Sequence, residues 1–188
     1  IANAAARQRA VCIATTAFAL AAVLDELEAR GTGLALRPGS RIMETGGFKG
    51  RSKVVERAEL YRRAAAAFSI EERAIVAEYG MTELTSQYYD AIPPKNVAFD
   101  SRVRYKRSGP WLRPRVVGVD GATLPDGIVG ALVHVDLANR GSCIAVATED
   151  LGVCVPDPIT GERSLVLIGR ERGSELRGCS LDAETLRG

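Results

Sequence analysis

Ala77-Glu78-Tyr79-Gly80-Met81-Thr82-Glu83-Leu84-Thr85-Ser86-Gln87 is the stretch whose reading decides the fold of this chain. Ile75 and Val76 ahead of it are β-branched and suit a buried strand. Gly80 then lets the backbone turn sharply, so that Thr82 and Glu83 stand at the strand's carboxyl end, where open α/β sheets bind ligands. An aromatic ring, a hydroxyl and a carboxylate in that order suit a nucleotide, with Tyr79 for a base, Thr82 for a phosphate and Glu83 for Mg²⁺. The same residues also fit a strand entering a helix, with Thr82 as N-cap and Glu83 facing the helix dipole.

Upstream, residues 10–14 form a short apolar run and Thr16 can cap a helix. Phe18, Val23, Leu24 and Leu27 then recur at helical spacing until Gly31. Pro38-Gly39 reads as a turn, and residues 41–45 as a second strand that stops at Gly46-Gly47. Lys49, Arg51 and Lys53 come next, and cations beside a glycine pair fit either a phosphate or a solvated loop. Residues 54–68 read as a helix with Val55, Leu60 and Ala64 near one face. Strand, helix, strand, helix, strand is the pattern of a parallel α/β sheet.

Downstream of Asp90 the character changes. Pro93, Pro94, Pro110, Pro114 and Pro125 punctuate the chain, and short strands are expected over residues 115–119, 129–135, 142–148 and 164–168. The fold class expected is therefore α/β: a parallel α/β layer over residues 10–92 followed by a small antiparallel β layer over residues 93–181. Between them Arg102, Arg104, Lys106, Arg107, Arg113 and Arg115 surround Tyr105 and Trp111, superficially a nucleic-acid patch. The alternation over residues 102–106 fits an edge strand with one basic, solvated face, and a net charge of only +2 favours that reading over nucleic acid.

With 188 residues, 46% of them hydrophobic and 26% charged, the chain can build one core and does not read as disordered. Its longest apolar stretch, residues 11–24, contains Thr15 and Thr16 and runs into Asp25 and Glu26, too short and polar for a membrane span. No signal peptide is recognisable. Cys12, Cys143, Cys154 and Cys179 are scattered and His134 is the single histidine, which argues against a zinc cage. Reduced thiols and a cytoplasmic location are expected, with a disulfide between Cys143 and Cys154 left open.

Three further stretches carry chemistry. Thr148-Glu149-Asp150-Leu151-Gly152 reads as a strand end with paired carboxylates, and one carboxylate can accept both vicinal hydroxyls of a ribose. A polar turn is the plainer alternative. Ile168-Gly169-Arg170 ends the next strand. Near the end, Cys179 follows a glycine and lies two residues from Arg177, conditions for an accessible, thiolate-favoured nucleophile; Cys12, inside an apolar run, lacks both. Equally, a lone cysteine can be a small buried hydrophobe.

AEYGMTELTSQ resembles the Tyr-Gly-x-Thr-Glu motif of the adenylate-forming superfamily, which activates carboxylic acids as acyl-AMP. With METGGFKGRS, TEDLG and ELRGCSL in the same order over residues 14–181, the chain looks most like the acyl-protein synthetase (LuxE-type) family. The resemblance implies ATP and Mg²⁺ as cofactors, a fatty acid as substrate, and an acyl reductase as partner. It also implies roles. Tyr79 and Gly80 lie at the adenine, Thr82 and Glu83 at phosphate and metal, and Gly46, Gly47 and Phe48 form a wall of the adenine and acyl pockets. Asp150 matches the ribose ligand of a Thr-Gly-Asp motif, with Glu149 in place of the glycine; Arg170 matches a Gly-Arg motif; Cys179 is the site of an acyl thioester. The family's phosphate loop has no counterpart in residues 1–9, so the chain is expected to be the C-terminal half of a longer protein. Two alternatives stand beside this: an acyl-CoA ligase of the phenylacetate type, whose lid domain would lie downstream, and a silent binding module without the phosphate loop.

Overall fold

The computed structural model describes residues 9–46, 55–98, 102–158 and 160–170. They fall into two compact units, one holding the described residues up to Glu78 together with Arg102, the other those from 79 to 98 and from 103 to 170.

In the first unit β1 (Cys12–Thr16), β2 (Arg41–Thr45) and β3 (Ile75–Tyr79) run parallel in that order. Ile13, Ile42 and Ile75 lie in one row across the three strands, a continuous β-branched surface for helices to cover. Helix α1 (Ala17–Ala29) starts where the Thr16 hydroxyl accepts from the Ala19 amide at 3.1 Å. It buries Ala17, Leu20, Ala21 and Leu24, one stripe at helical spacing, and its end is followed by Gly31 at φ +60. Helix α2 (Arg57–Phe68) buries Leu60, Tyr61, Ala64 and Phe68 and ends at Ser69 in the left-handed region. Arg63 ties the two helices, reaching Glu28 at 2.8 Å and Asp25 at 2.7 Å. The helix begins at Arg57, later than the sequence pattern suggests, because Glu56 is still extended.

The second unit is a sheet of six strands with antiparallel pairings, in the order β4 (Tyr88–Asp90), β5 (Lys106–Arg107), β9 (Arg163–Arg170), β8 (Ala145–Pro156), β7 (Gly130–Asp136), β6 (Leu112–Val117). Its core is Leu84, Tyr88, Leu112, Val116, Leu132, Cys154 and Leu165. Parallel α/β strands followed by an antiparallel β layer is the architecture the sequence implies.

Two sequence expectations are corrected by the fold. Residues 102–106 are not a solvated edge strand: Lys106 belongs to β5, between β4 and β9, and both Arg104 and Lys106 are buried. Asp90 explains it, meeting Lys106 Nζ at 2.7 Å and Arg104 Nη1 at 3.4 Å, so these two cations face inward toward a carboxylate while Arg102 stays exposed. Arg107 likewise pairs with the buried Asp157 at 2.8 Å. The second correction concerns residues 148–152, which end no strand. They lie inside the twelve-residue β8, which runs well past the stretch 142–148 read from the sequence. Its register with β7 jumps from Ala131↔Leu151 to Val133↔Ala147, a bulge that accommodates Thr148, Glu149 and Asp150. Gly152, just beyond, is needed for packing: a Cβ there would come within 2.9 Å of Leu132.

Among the described residues no helix is long and apolar enough to cross a membrane.

Candidate functional site

The segment after β3 forms no helix, which removes the N-cap reading of Thr82. It makes a tight turn over residues 81–84, closed by the Leu84 amide on the Met81 carbonyl at 3.1 Å. Leu84 is buried as the turn's anchor, whereas Thr82 and Glu83, its two central residues, are exposed. An exposed turn would ordinarily be mobile; this one is tied to the end of β7. Asn139 Nδ2 donates to the Glu83 carbonyl at 2.7 Å and to the Cys143 carbonyl at 2.9 Å, and the Thr85 hydroxyl donates to Asn139 Oδ1 at 3.1 Å. Asp136, fully buried, accepts from the Thr85 amide at 3.0 Å, the Ser86 amide at 2.9 Å and the Ser86 hydroxyl at 3.1 Å. Hydrogen bonds to a charged acceptor are each worth about 1.5–3 kcal/mol, enough to fix a short loop. A depression of about 350 Å³ flanks this loop, lined among others by Ser86, Gln87, Tyr89, Ser108 and Trp111. Its lining includes none of the residues the sequence assigns to a nucleotide.

A second constellation forms around Asp150. The Tyr79 hydroxyl donates to Asp150 Oδ2 at 2.8 Å and Arg170 Nε donates to Oδ1 at 3.0 Å, so Tyr79, Asp150 and Arg170, far apart in sequence, converge. Asp150 and Arg170 are register partners across β8 and β9, and the bulge aims the carboxylate. Arg170 also lies 3.7 Å from Glu149. Behind Tyr79 sits His134 on β7, its Nε2 3.1 Å from the Tyr79 hydroxyl and its Nδ1 3.0 Å from the Tyr88 hydroxyl. The three rings are tilted against one another with centroids 5.3 to 5.8 Å apart. Burial, reinforced for Tyr79 by Asp150, raises both phenols well above the usual tyrosine range, so both carry their protons at neutral pH.

Burial also pushes the His134 imidazole down from 6.5 to about 4, against the opposing pull of Asp150. The unfolded chain therefore gains a proton on this residue as the pH falls through 6.5, and the folded chain gains it only near 4. The stability this group confers is full above pH 6.5 and is lost progressively as the pH drops toward 4, by about 3 kcal/mol in all. Urea titrations at pH 7.5, 6.0 and 5.0 are expected to show His134→Leu losing stability with acid less steeply than the parent; equal slopes would contradict the depressed value.

His134, Asp136, Asn139 and Tyr88 escaped the sequence reading, although a signal was present. In Leu132-Val133-His134-Val135-Asp136 the period of two puts His134 and Asp136 on the same face as Leu132, which is core. Of the other candidates, Gly46 leaves β2 at φ +75, a conformation glycine adopts freely, and belongs to the first unit. Gly47, Phe48, Lys49, Arg51, Lys53, Arg177 and Cys179 lie outside the described residues. Cys12 is exposed, contrary to its apolar setting in sequence, because β1 is the outer strand of its parallel set and Cys12 alternates outward. Cys143 and Cys154 are free, and burial raises the Cys154 thiol, which makes it inert.

Mg²⁺ takes one or two carboxylates and completes its shell with phosphates and water, and Glu83 offers one exposed carboxylate on a pinned turn. Among the described residues no group of three or more His, Cys, Asp or Glu is placed to hold a metal unaided.

No protein-family model and no curated protein matches the sequence. Solved structures do. McyG A-PCP complexed with phenylalanyl-adenylate superposes with a TM-score of 0.58 at 19% identity, covering 90% of this chain and 32% of that one. The adenylation domain of a keto acid-selecting NRPS module, bound to keto acyl adenylate, gives 0.56 at 17% identity, with 87% and 36% covered. A benzoate CoA ligase from Burkholderia xenovorans LB400 gives 0.52 at 17% identity, with 85% and 31% covered. The chain thus spans about a third of the length of these three structures, and its fold is a mixed α/β fold like theirs.

Proposed function

We propose that this chain supplies part of the nucleotide site of an ATP-dependent ligase that activates a carboxylic acid as acyl-AMP. The observation that carries the reading is the convergence of Tyr79 and Arg170 on Asp150, in a fold shared with adenylate-forming enzymes. Two protein donors fix the Asp150 carboxylate and leave lone pairs on both oxygens, the arrangement that accepts two vicinal ribose hydroxyls. Tyr79 offers its ring to the adenine. Thr82 donates to a phosphate oxygen, and Glu83 holds Mg²⁺, which offsets phosphate charge. In the reaction the acid's carboxylate oxygen bonds to the α-phosphorus of ATP as the bond to the pyrophosphate oxygen breaks. Positioning and charge neutralisation by these residues are the whole of their task.

The finer reading is an acyl-protein synthetase acting on a fatty acid. Its acyl group would pass from acyl-AMP to a cysteine thiolate, with AMP leaving, and from there to a reductase partner. The ordered motifs support it, ELRGCSL with Cys179 above all.

Calorimetric titration of the full-length protein tests the function. Binding of ATP with Mg²⁺, and tighter, Mg²⁺-independent binding of a non-hydrolysable acyl-AMP analogue, is expected. Binding of neither would overturn the ligase in favour of a silent module.

A further inference from the structure

Four groups on four strands form a chain of hydrogen bonds whose every direction is set by chemistry. Asp150 is ion-paired to Arg170 at 3.0 Å, so it is a carboxylate and can only accept. The Tyr79 hydroxyl, 2.8 Å from Oδ2, must therefore give its single proton to Asp150. That leaves the phenol oxygen as acceptor toward His134 Nε2 at 3.1 Å, so Nε2 carries the ring's hydrogen. A neutral imidazole has only one, which leaves Nδ1 bare, and Tyr88 at 3.0 Å donates to it.

We infer that His134 is a positioning residue for the Asp150 carboxylate, locked between two tyrosines as the Nε2–H tautomer so that the Tyr79 proton points at Asp150. The link to a nucleotide rests on the function proposed above; the chain of protons does not. The other tautomer would set Nε2 and Asp150 against each other as two acceptors facing one phenol proton, and Asp150 would lose the donor that fixes its plane. Control of the carboxylate therefore reaches back to Tyr88, which is 1% exposed and has no bond to Asp150 among those described. It is a specificity device as well. With Arg170 on Oδ1 and Tyr79 on Oδ2, one open acceptor position remains on each oxygen, and their spacing selects a pair of neighbouring hydroxyls over a single one.

The test uses full-length protein labelled with ¹⁵N-histidine, the His134 ring being assigned by its loss in His134→Gln. At pH 7 its Nε2 is expected to be pyrrole-like and its Nδ1 pyridine-like. Tyr88→Phe keeps the buried ring and removes the donor to Nδ1. It is expected to populate both tautomers and to weaken AMP binding roughly tenfold, while 2′-deoxy-AMP binding, which uses one hydroxyl, changes less. A protonated Nδ1 in the parent, or a Tyr88→Phe protein with unchanged tautomer and unchanged AMP affinity, would overturn the inference. A parent with the expected tautomer that binds no adenosine nucleotide would uphold the positioning chain and overturn the nucleotide reading instead.

Discussion

Glu83→Gln is expected to abolish acid-dependent exchange of pyrophosphate into ATP by the full-length protein, a loss of at least about 10²-fold. The substitution is close to isosteric and touches nothing that holds the turn. Leu84 remains the buried anchor, and Asn139 still finds the same backbone carbonyl, because it bonds the main chain of Glu83 and not its side chain. Only the exposed negative charge is lost. Since Mg²⁺ needs a carboxylate and ranks an amide oxygen far below it, the effect falls on metal-dependent chemistry and leaves thermal stability within about 0.5 kcal/mol of the parent. Exchange that survives the substitution undiminished sinks the metal assignment. Exchange that is lost together with the cooperative melting transition means the turn is structural.

The largest expected loss of stability comes from Asp90→Ala, about 3–5 kcal/mol. Asp90, Arg104 and Lys106 have side chains no more than 5% exposed, and the carboxylate sits between the two cations. Taking it away leaves both cations in the interior without the carboxylate they share. The damage falls on the β4–β5 pairing, where Asp90 and Lys106 are register partners. Replacing both members of the closer pair, Asp90→Leu with Lys106→Met, is expected to recover the part of the loss that comes from Lys106, while the part that comes from Arg104, which still loses this carboxylate, remains. Urea denaturation of the parent, the single and the double variant measures it. A single-variant cost under about 1 kcal/mol would show that this ion pair does not stabilise the unit.

The parallel unit was legible because each of its signals is local. β-branched runs mark the strands and a hydroxyl caps α1, but of Phe18, Val23, Leu24 and Leu27 only Leu24 lies in the buried stripe, which is completed by Ala17, Leu20 and Ala21, while Val23 is exposed. The antiparallel unit defeats the same reading wherever a residue's partner is distant in the chain. Alternating cations over residues 102–106 look identical whether they face water or a carboxylate at position 90, and only the fold supplies Asp90. Glu149 and Asp150 read as a strand's end because two adjacent carboxylates break the alternation. A bulge is how one strand continues through such a break. The candidate residues Tyr79, Asp150 and Arg170 were each visible as motif positions. The histidine and second tyrosine behind them were not, since buried polar residues carry no motif and betray themselves only by sharing a face with core leucine.

The bulge in β8 also separates two kinds of change that this protein can undergo. Residues 145–147 pair with β7 on one side of it and residues 151 and 152 on the other, while the ladder with β9 runs from Asp150 to Pro156 with its own shift between Leu151 and Gly152. The three residues between have no register partner on β7, and Asp150 among them is held from the other side by its pairing with Arg170. A substitution at 148 or 149 can therefore re-aim the carboxylate without turning any core side chain outward, while a change of one residue in length at 146 or 153 would invert a whole half-strand. Change in the aim of one carboxylate and preservation of the sheet are thereby assigned to different parts of one strand.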